Sequence, residues 1–214
     1  MEANETAGEV RGLRPWPRAT RRGSRAFEER LADLLRLLAI EVAPGAHFTD
    51  AGRWEVHKAL AGRAELPEEH FEALIDAAVY DPNPSFNRRF VEPALTAFGR
   101  RRVRMALLLR LKTGTDEERA GAARAWYWTA LSAGDRWTDP DDGASVRDAW
   151  HEAALREFVA NEDQDVRRSI LPGLPLVPRA YPTELHPLVE RAVQIARTHP
   201  DEYIRERAET QVAL

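Results

Sequence analysis

The sequence predicts an all-α protein: a right-handed α-solenoid of about four antiparallel helix pairs behind an N-terminal helical cap. Three observations predict it. From Pro67 onward, apolar residues recur at helical spacing in segment after segment, and no stretch alternates long enough to make a strand. Short polar or proline-containing turns separate those segments. One pattern of punctuation also recurs, in "DPNPSFNRRFV" (Asp81 to Val91), "NEDQDVRRSIL" (Asn161 to Leu171) and "HPDEYIRERAE" (His199 to Glu209). Each opens on a polar residue, has an apolar residue five positions later (Phe86, Val166, Ile204) and a polar or basic one at six (Asn87, Arg167, Arg205).

The elements follow in order. Residues 1–23 are polar, hold Pro15 and Pro17 and show no apolar period, so they are expected to be a disordered or loosely attached tail. Residues 24–66 are expected to form the cap. Ser24 opens a helix in which Phe27, Leu31, Leu34, Leu35 and Leu38 share a face, running to about Val42 before Pro44–Gly45. "RWEVHKALAG" reads as a short helix with Trp54 and Leu60 turned inward. Residues 67–214 are expected to be the solenoid. Pro67 suits a first helical position, and Phe71, Leu74, Ile75, Ala78 and Val79 form one stripe. "DPNP" ends that helix; the next carries Phe86, Phe90, Val91, Ala94, Leu95 and Phe98, has Pro93 inside it and stops at Gly99.

"RRRVRMALLLRLK" and "DEERAGAARAWYWTAL" give two more helices around "TGT". A polar loop from Ser132 to Ser145 precedes "VRDAWHEAALREFVA", which carries Val146, Trp150, Ala153, Ala154, Leu155 and Phe158. A helix opens near Val166 and stops by Pro175. "LPLVPRAYP" connects it to "TELHPLVERAVQIART" and "DEYIRERAETQVA", the last capped by Asp201.

The residues Phe86, Val166 and Ile204 lie 80 and 38 positions apart. A period of about 40 in a two-helix unit marks a stacked α-solenoid, because one helix pair cannot bury both of its apolar stripes alone. A further member is expected near residues 120–126, where "ERAGAARAW" sits. On these residues the chain resembles HEAT-repeat proteins. In that family an Asp near the end of the first helix is followed six residues later by a basic residue, and the two link neighbouring repeats in a ladder. The resemblance implies ladder roles for Asp81, Asn87, Asn161, Arg167, His199 and Arg205. It covers Pro67 to Leu214 and says little about function.

Composition limits the chemistry. The chain has 214 residues and no cysteine, which excludes disulfides, thiolate catalysis and cysteine-ligated metals. Its net charge of −4 argues against general nucleic-acid affinity. The longest apolar run, "MALLL", falls far short of the ~20 residues of a membrane span. Arg21–Arg22 is followed by charged residues and not by an export signal's apolar segment, so a cytoplasmic location is expected. The six histidines lack metal spacing, and "DPDDG" (Asp139 to Gly143) lacks the glutamate of a calcium loop. No phosphate loop or nucleophile elbow occurs, and no cofactor is expected.

Two features point to a binding surface. Between Asn87 and Lys112 lie Arg88, Arg89, Arg100, Arg101, Arg102, Arg104, Arg110 and Lys112, against Glu92 alone. Arg100 to Arg102 open a helix, where the dipole disfavours cations. The second feature is Trp126-Tyr127-Trp128, with Trp137 and Trp150. Consecutive helical residues point about 100° apart, so three aromatics in a row cannot all face one core. The expected function is a non-catalytic interaction module that binds a protein or peptide, an acidic one favoured, through the arginines and through Trp126 and Trp128. The alternative is a nucleic-acid binder. Some HEAT-like bacterial proteins are glycosylases for alkylated DNA bases, and that resemblance implies Trp126, Trp128, Arg124 and Asp135 as analogues.

Overall fold

The computed structural model describes residues 21–131 and 144–213. Every regular element among them is helical: α1 (Arg21–Leu37), α2 (Phe48–Leu60), α3 (His70–Tyr80), α4 (Arg88–Phe98), α5 (Arg100–Thr113), α6 (Asp116–Leu131), α7 (Ala144–Ala160), α8 (Gln164–Ile170), α9 (His186–Thr198) and α10 (Glu202–Val212). Three 3-10 turns, at Leu171–Gly173, Pro178–Ala180 and Thr183–Leu185, lie between α8 and α9.

Several boundaries differ from the sequence expectation. α1 begins at Arg21, inside the expected tail, and ends at Leu37 instead of Val42. Ala39 adopts a left-handed φ of 54°. The Ile40 N–H can then reach the Leu35 carbonyl at 2.9 Å, closing the helix end and laying Ile40 on the core. In α2 the inward face is Gly52, Arg53, Val56 and Leu60. Trp54 is 54% exposed, contrary to expectation, because it points about 100° beyond Arg53, away from Gly52 and Val56. Pro67 belongs to a turn in which His70 and Phe71 donate to the carbonyls of Pro67 and Glu68, so α3 starts at His70. Its expected stripe, Phe71 through Val79, is buried as read. Phe86 precedes α4 and is 37% exposed, unlike Val166 and Ile204, which are fully buried. Gly99, at φ 83°, ends α4 and lets α5 begin at once.

α1 packs on α2, α3 on α4, α5 on α6, α7 on α8 and α9 on α10. Each helix from α1 to α8 also packs on the one two places further along the chain. One apolar cluster runs from Phe27 in α1 to Ala208 in α10. α6 is the most enclosed, packing on α3, α4, α5 and α8. Its sequence explains this, since Ala120, Gly121, Ala122, Ala123 and Ala125 are all buried and admit close neighbours. At Gly121 an added Cβ would lie 1.9 Å from the Val79 carbonyl oxygen, so α6 meets α3 almost backbone to backbone.

The recurring punctuation is turn chemistry. Asp81, Asn161 and His199 each accept, through the side chain, the backbone N–H two residues on, at 2.9, 2.7 and 3.0 Å. Asp163 and Asp201 then cap the next helix, accepting from Val166 and Ile204. The residue at position six donates back: Asn87 to the Ala78 carbonyl, Arg167 to that of Phe158, and Arg205 to those of His199 and Pro200. These bonds satisfy groups that every helix end leaves open. The corresponding turn between α5 and α6 lies at 114–115, whereas residues 120–126 are inside α6. There Thr115 and Glu118 form a reciprocal cap, the Glu118 carboxylate accepting from the Thr115 N–H at 2.8 Å.

Polar contacts also join successive helix pairs. Arg53 of α2 forks onto Asp81, and the Tyr80 hydroxyl donates to Glu118 at 3.0 Å. Asn161 donates to Asp116 at 2.7 Å, and Gln164 and Arg168 of α8 donate to Asp201. Of the six residues expected to form a ladder, Asp81 and Asn161 make such crossings. The bonds of Asn87, Arg167, His199 and Arg205 described above close their own turns.

Candidate functional site

The cations that one sequence window holds together are dispersed by the helices. Arg100 and Arg104 are buried at 8% and 6% exposure. Arg104 donates to the Thr129 hydroxyl at 3.1 Å and lies over the Trp126 ring. Arg102 is held by both carboxylate oxygens of Glu68 and stacks 4.0 Å from the Phe71 ring centre. That contact keeps the Glu68 carboxyl below its usual range, through the Arg102 hydrogen bonds first of all. Arg110 bridges Glu72 and Asp76 of α3 at 3.0 and 2.5 Å. Glu68 and the acidic face of α3 therefore answer much of the basic face of α5, and Arg101 stays exposed where α5 begins.

Arg88 and Arg89, in the first turn of α4, are placed differently. The Arg88 guanidinium lies 5.6 Å from the centre of the Trp128 ring of α6. Arg89 lies 5.8 Å from Trp54 of α2 and 5.0 Å from Phe86. Trp128 is fixed by its indole N–H, which donates to the Pro84 carbonyl at 2.8 Å. Tyr127, 39% exposed, meets Trp128 edge-on at 5.5 Å. Trp54, Phe86 and Arg89 thus form one exposed to half-exposed group and Arg88, Trp128 and Tyr127 another, and the two meet where α4 begins. Among the described residues, no carboxylate pairs with Arg88 or Arg89.

Beneath these groups lies a fixed charge pair. Arg53 donates to both oxygens of Asp81, at 2.8 and 2.7 Å, and its guanidinium faces the rings of Phe27 and Phe86. Asp81 is fully buried, and that burial pushes its carboxyl above the usual range while Arg53 pulls it back. Arg124 is also pressed by desolvation, with Asp81, Asp165 and Glu117 opposing. It reaches Ser169 at 3.4 Å, and its buried Nε has no hydrogen-bond partner. The Oδ1 of buried Asn87 likewise has none.

Trp126 does not reach the surface. It stacks on Trp150 with ring centres 4.0 Å apart and planes 2° from parallel, and both rings are buried. Asp135, Trp137 and the "DPDDG" loop lie outside the described residues, as does most of the expected loop from Ser132 to Ser145. Among the described residues, no group of three or more His, Asp or Glu is arranged for a metal ion, and no helix is long and apolar enough to cross a membrane. Sequence reasoning missed Trp54 and Phe86 as surface groups. The signal for Trp54 was its offset from Gly52, Val56 and Leu60. No family model matches the sequence, and no curated protein or solved structure gives a significant match.

Proposed function

We propose that the chain is a right-handed, HEAT-like α-solenoid acting as a non-catalytic interaction module. Its partner is a protein or peptide segment lying across α2, α4 and α6. The packing of each pair on the next supports the solenoid reading, since stacked units bury one continuous core. The observation that carries the function is the surface on which Trp54 and Phe86 face Arg89 and Trp128 faces Arg88. Aromatic and arginine side chains are the types that dominate binding energy at protein interfaces.

Nucleic acid is the second reading, because stacked guanidinium and aromatic faces also suit unpaired bases. The acidic balance of the chain and the pairing of Arg102 with Glu68 and of Arg110 with α3 weigh against it. Its base-handling form also relies on Trp126, which lies in the core. The test is a panel of labelled acidic and neutral peptides and labelled oligonucleotides, titrated with the full chain and with R88E/R89E. Acidic peptides should bind and the charge-reversed variant should lose them. Binding confined to oligonucleotides, and falling steeply with salt, would transfer the proposal to the second reading.

A further inference from the structure

We propose that Arg88 and Arg89 form a carboxylate-binding fork for an acidic peptide segment, with the Trp128 and Trp54 rings setting the planes of the two guanidiniums. This rests on the interaction-module reading and adds the chemistry of its contact.

The rest of the molecule shows what a ring-stacked arginine holds here. Arg30 lies over Tyr80 and pairs with Asp76. Arg53 lies over Phe27 and forks onto Asp81. Arg102 lies over Phe71 and forks onto Glu68, and Arg168 lies over Tyr203 and pairs with Asp201. Arg167, over Phe158, donates to that residue's backbone carbonyl, and Arg104, over Trp126, donates to Thr129. Among the described residues, Arg88 and Arg89 have their rings and neither kind of acceptor. Glu92 stands one helical turn further along α4, yet forms an ion pair with neither.

Position strengthens the case. The two arginines occupy the first turn of α4, the positive end of its dipole, with no acidic residue there to offset them. An incoming carboxylate would answer the dipole and the guanidiniums together. A guanidinium held over a ring by cation–π attraction keeps N–H donors available, and its planar fork matches both oxygens of one carboxylate. Trp54, Phe86 and Tyr127 expose apolar faces beside it, so the segment should carry apolar or aromatic residues between its acidic ones.

The experiment is fluorescence anisotropy with the full chain and three labelled probes: a peptide of glutamates interleaved with leucine and glycine, its glutamine counterpart, and single-stranded oligothymidylate. The glutamate peptide should bind, and the glutamine peptide should bind at least about tenfold more weakly, the scale of one lost charge-assisted hydrogen bond. R88K/R89K keeps the charge but not the planar fork, and should lose a similar factor. R102K, whose parent already holds Glu68, should match the wild type. Circular dichroism and melting checked on each variant separate loss of the fork from loss of the fold. If R88K/R89K binds the glutamate peptide like the wild type, the fork is wrong while the interaction module stands. Equal binding of the glutamate and glutamine peptides has the same meaning. Binding of the oligonucleotide alone overturns both.

Discussion

Replacing Arg53 with Met tests whether the buried ion pair beneath the candidate surface matters to the fold. In the native protein the guanidinium spans both oxygens of Asp81, and the two side chains are 7% and 0% exposed. Methionine fills a similar volume but leaves the carboxylate with the Asn83 N–H, at 2.9 Å, as its remaining hydrogen bond of those described above. Removing one partner of a buried pair costs about 3–5 kcal/mol, because the other charge stays desolvated. That is a large part of the about 5–15 kcal/mol that holds a domain together. For a chain of this length it corresponds to about 6–20 °C in Tm. The sign with pH follows. Without Arg53 the Asp81 carboxyl moves further up, so the folded state holds a proton that the unfolded state releases. Stability then falls as pH rises above the ordinary Asp range of about 3.9, and the deficit of the variant is larger at pH 7 than at pH 4.5. R53M/D81N, which removes the buried charge, should recover part of the loss. Urea denaturation of the variants at both pH values gives the answer. A deficit for R53M below about 1 kcal/mol, or one equal at both pH values, would refute the reasoning.

Two further predictions follow from packing and from titration. Gly121→Ala places a Cβ against the Val79 carbonyl, which no rotamer change can relieve. It should lower the urea midpoint by the equivalent of about 1–3 kcal/mol or more, even though alanine is the better helix former; a stabilised variant would contradict the α3–α6 contact. His199 is kept neutral in the fold by burial first and by Arg167 next, and its Nδ1 accepts the Asp201 N–H. Its depressed pKa means that stability is full above the ordinary His range of about 6.5 and declines as pH falls below it, with His151 acting in the same direction. H199N should flatten that decline between pH 7 and pH 5, and an unchanged slope would count against the assignment.

Much of the helical plan was legible because local pattern decides it. The stripe from Phe71 to Val79 and the boundaries of α6 could be read directly, since apolar spacing and caps act within a few residues. What escaped depends on distant partners. Arg53 turns inward only because Asp81, on another helix, takes its charge, and that displaces Trp54 to the outside. Ala39 ends α1 in a conformation that nothing in its own identity requires. The arginine window looked like one patch because sequence places cations side by side. The helices send Arg104 inward, Arg102 to Glu68, Arg110 to α3, and Arg88 and Arg89 to rings on α6 and α2. The α5–α6 turn carried its signal in Thr115 and Glu118, but that cap uses a different residue pair from the other turns. Its spacing from its neighbours is also uneven, and a search for a fixed period passes over it.

The flat Trp126–Trp150 stack gives the molecule an internal optical gauge. Two indoles stacked 4.0 Å apart couple their electronic transitions, so the native state should show a near-ultraviolet absorption band shifted from that of separated rings. One ring belongs to α6 and the other to α7, on opposite sides of residues 132–143. The band therefore reports whether those helices remain joined. Trp54, out in solvent, reports instead on the rim where a partner would settle. One sample could then show, by two separate signals, whether a ligand touches only the surface or also loosens the interior.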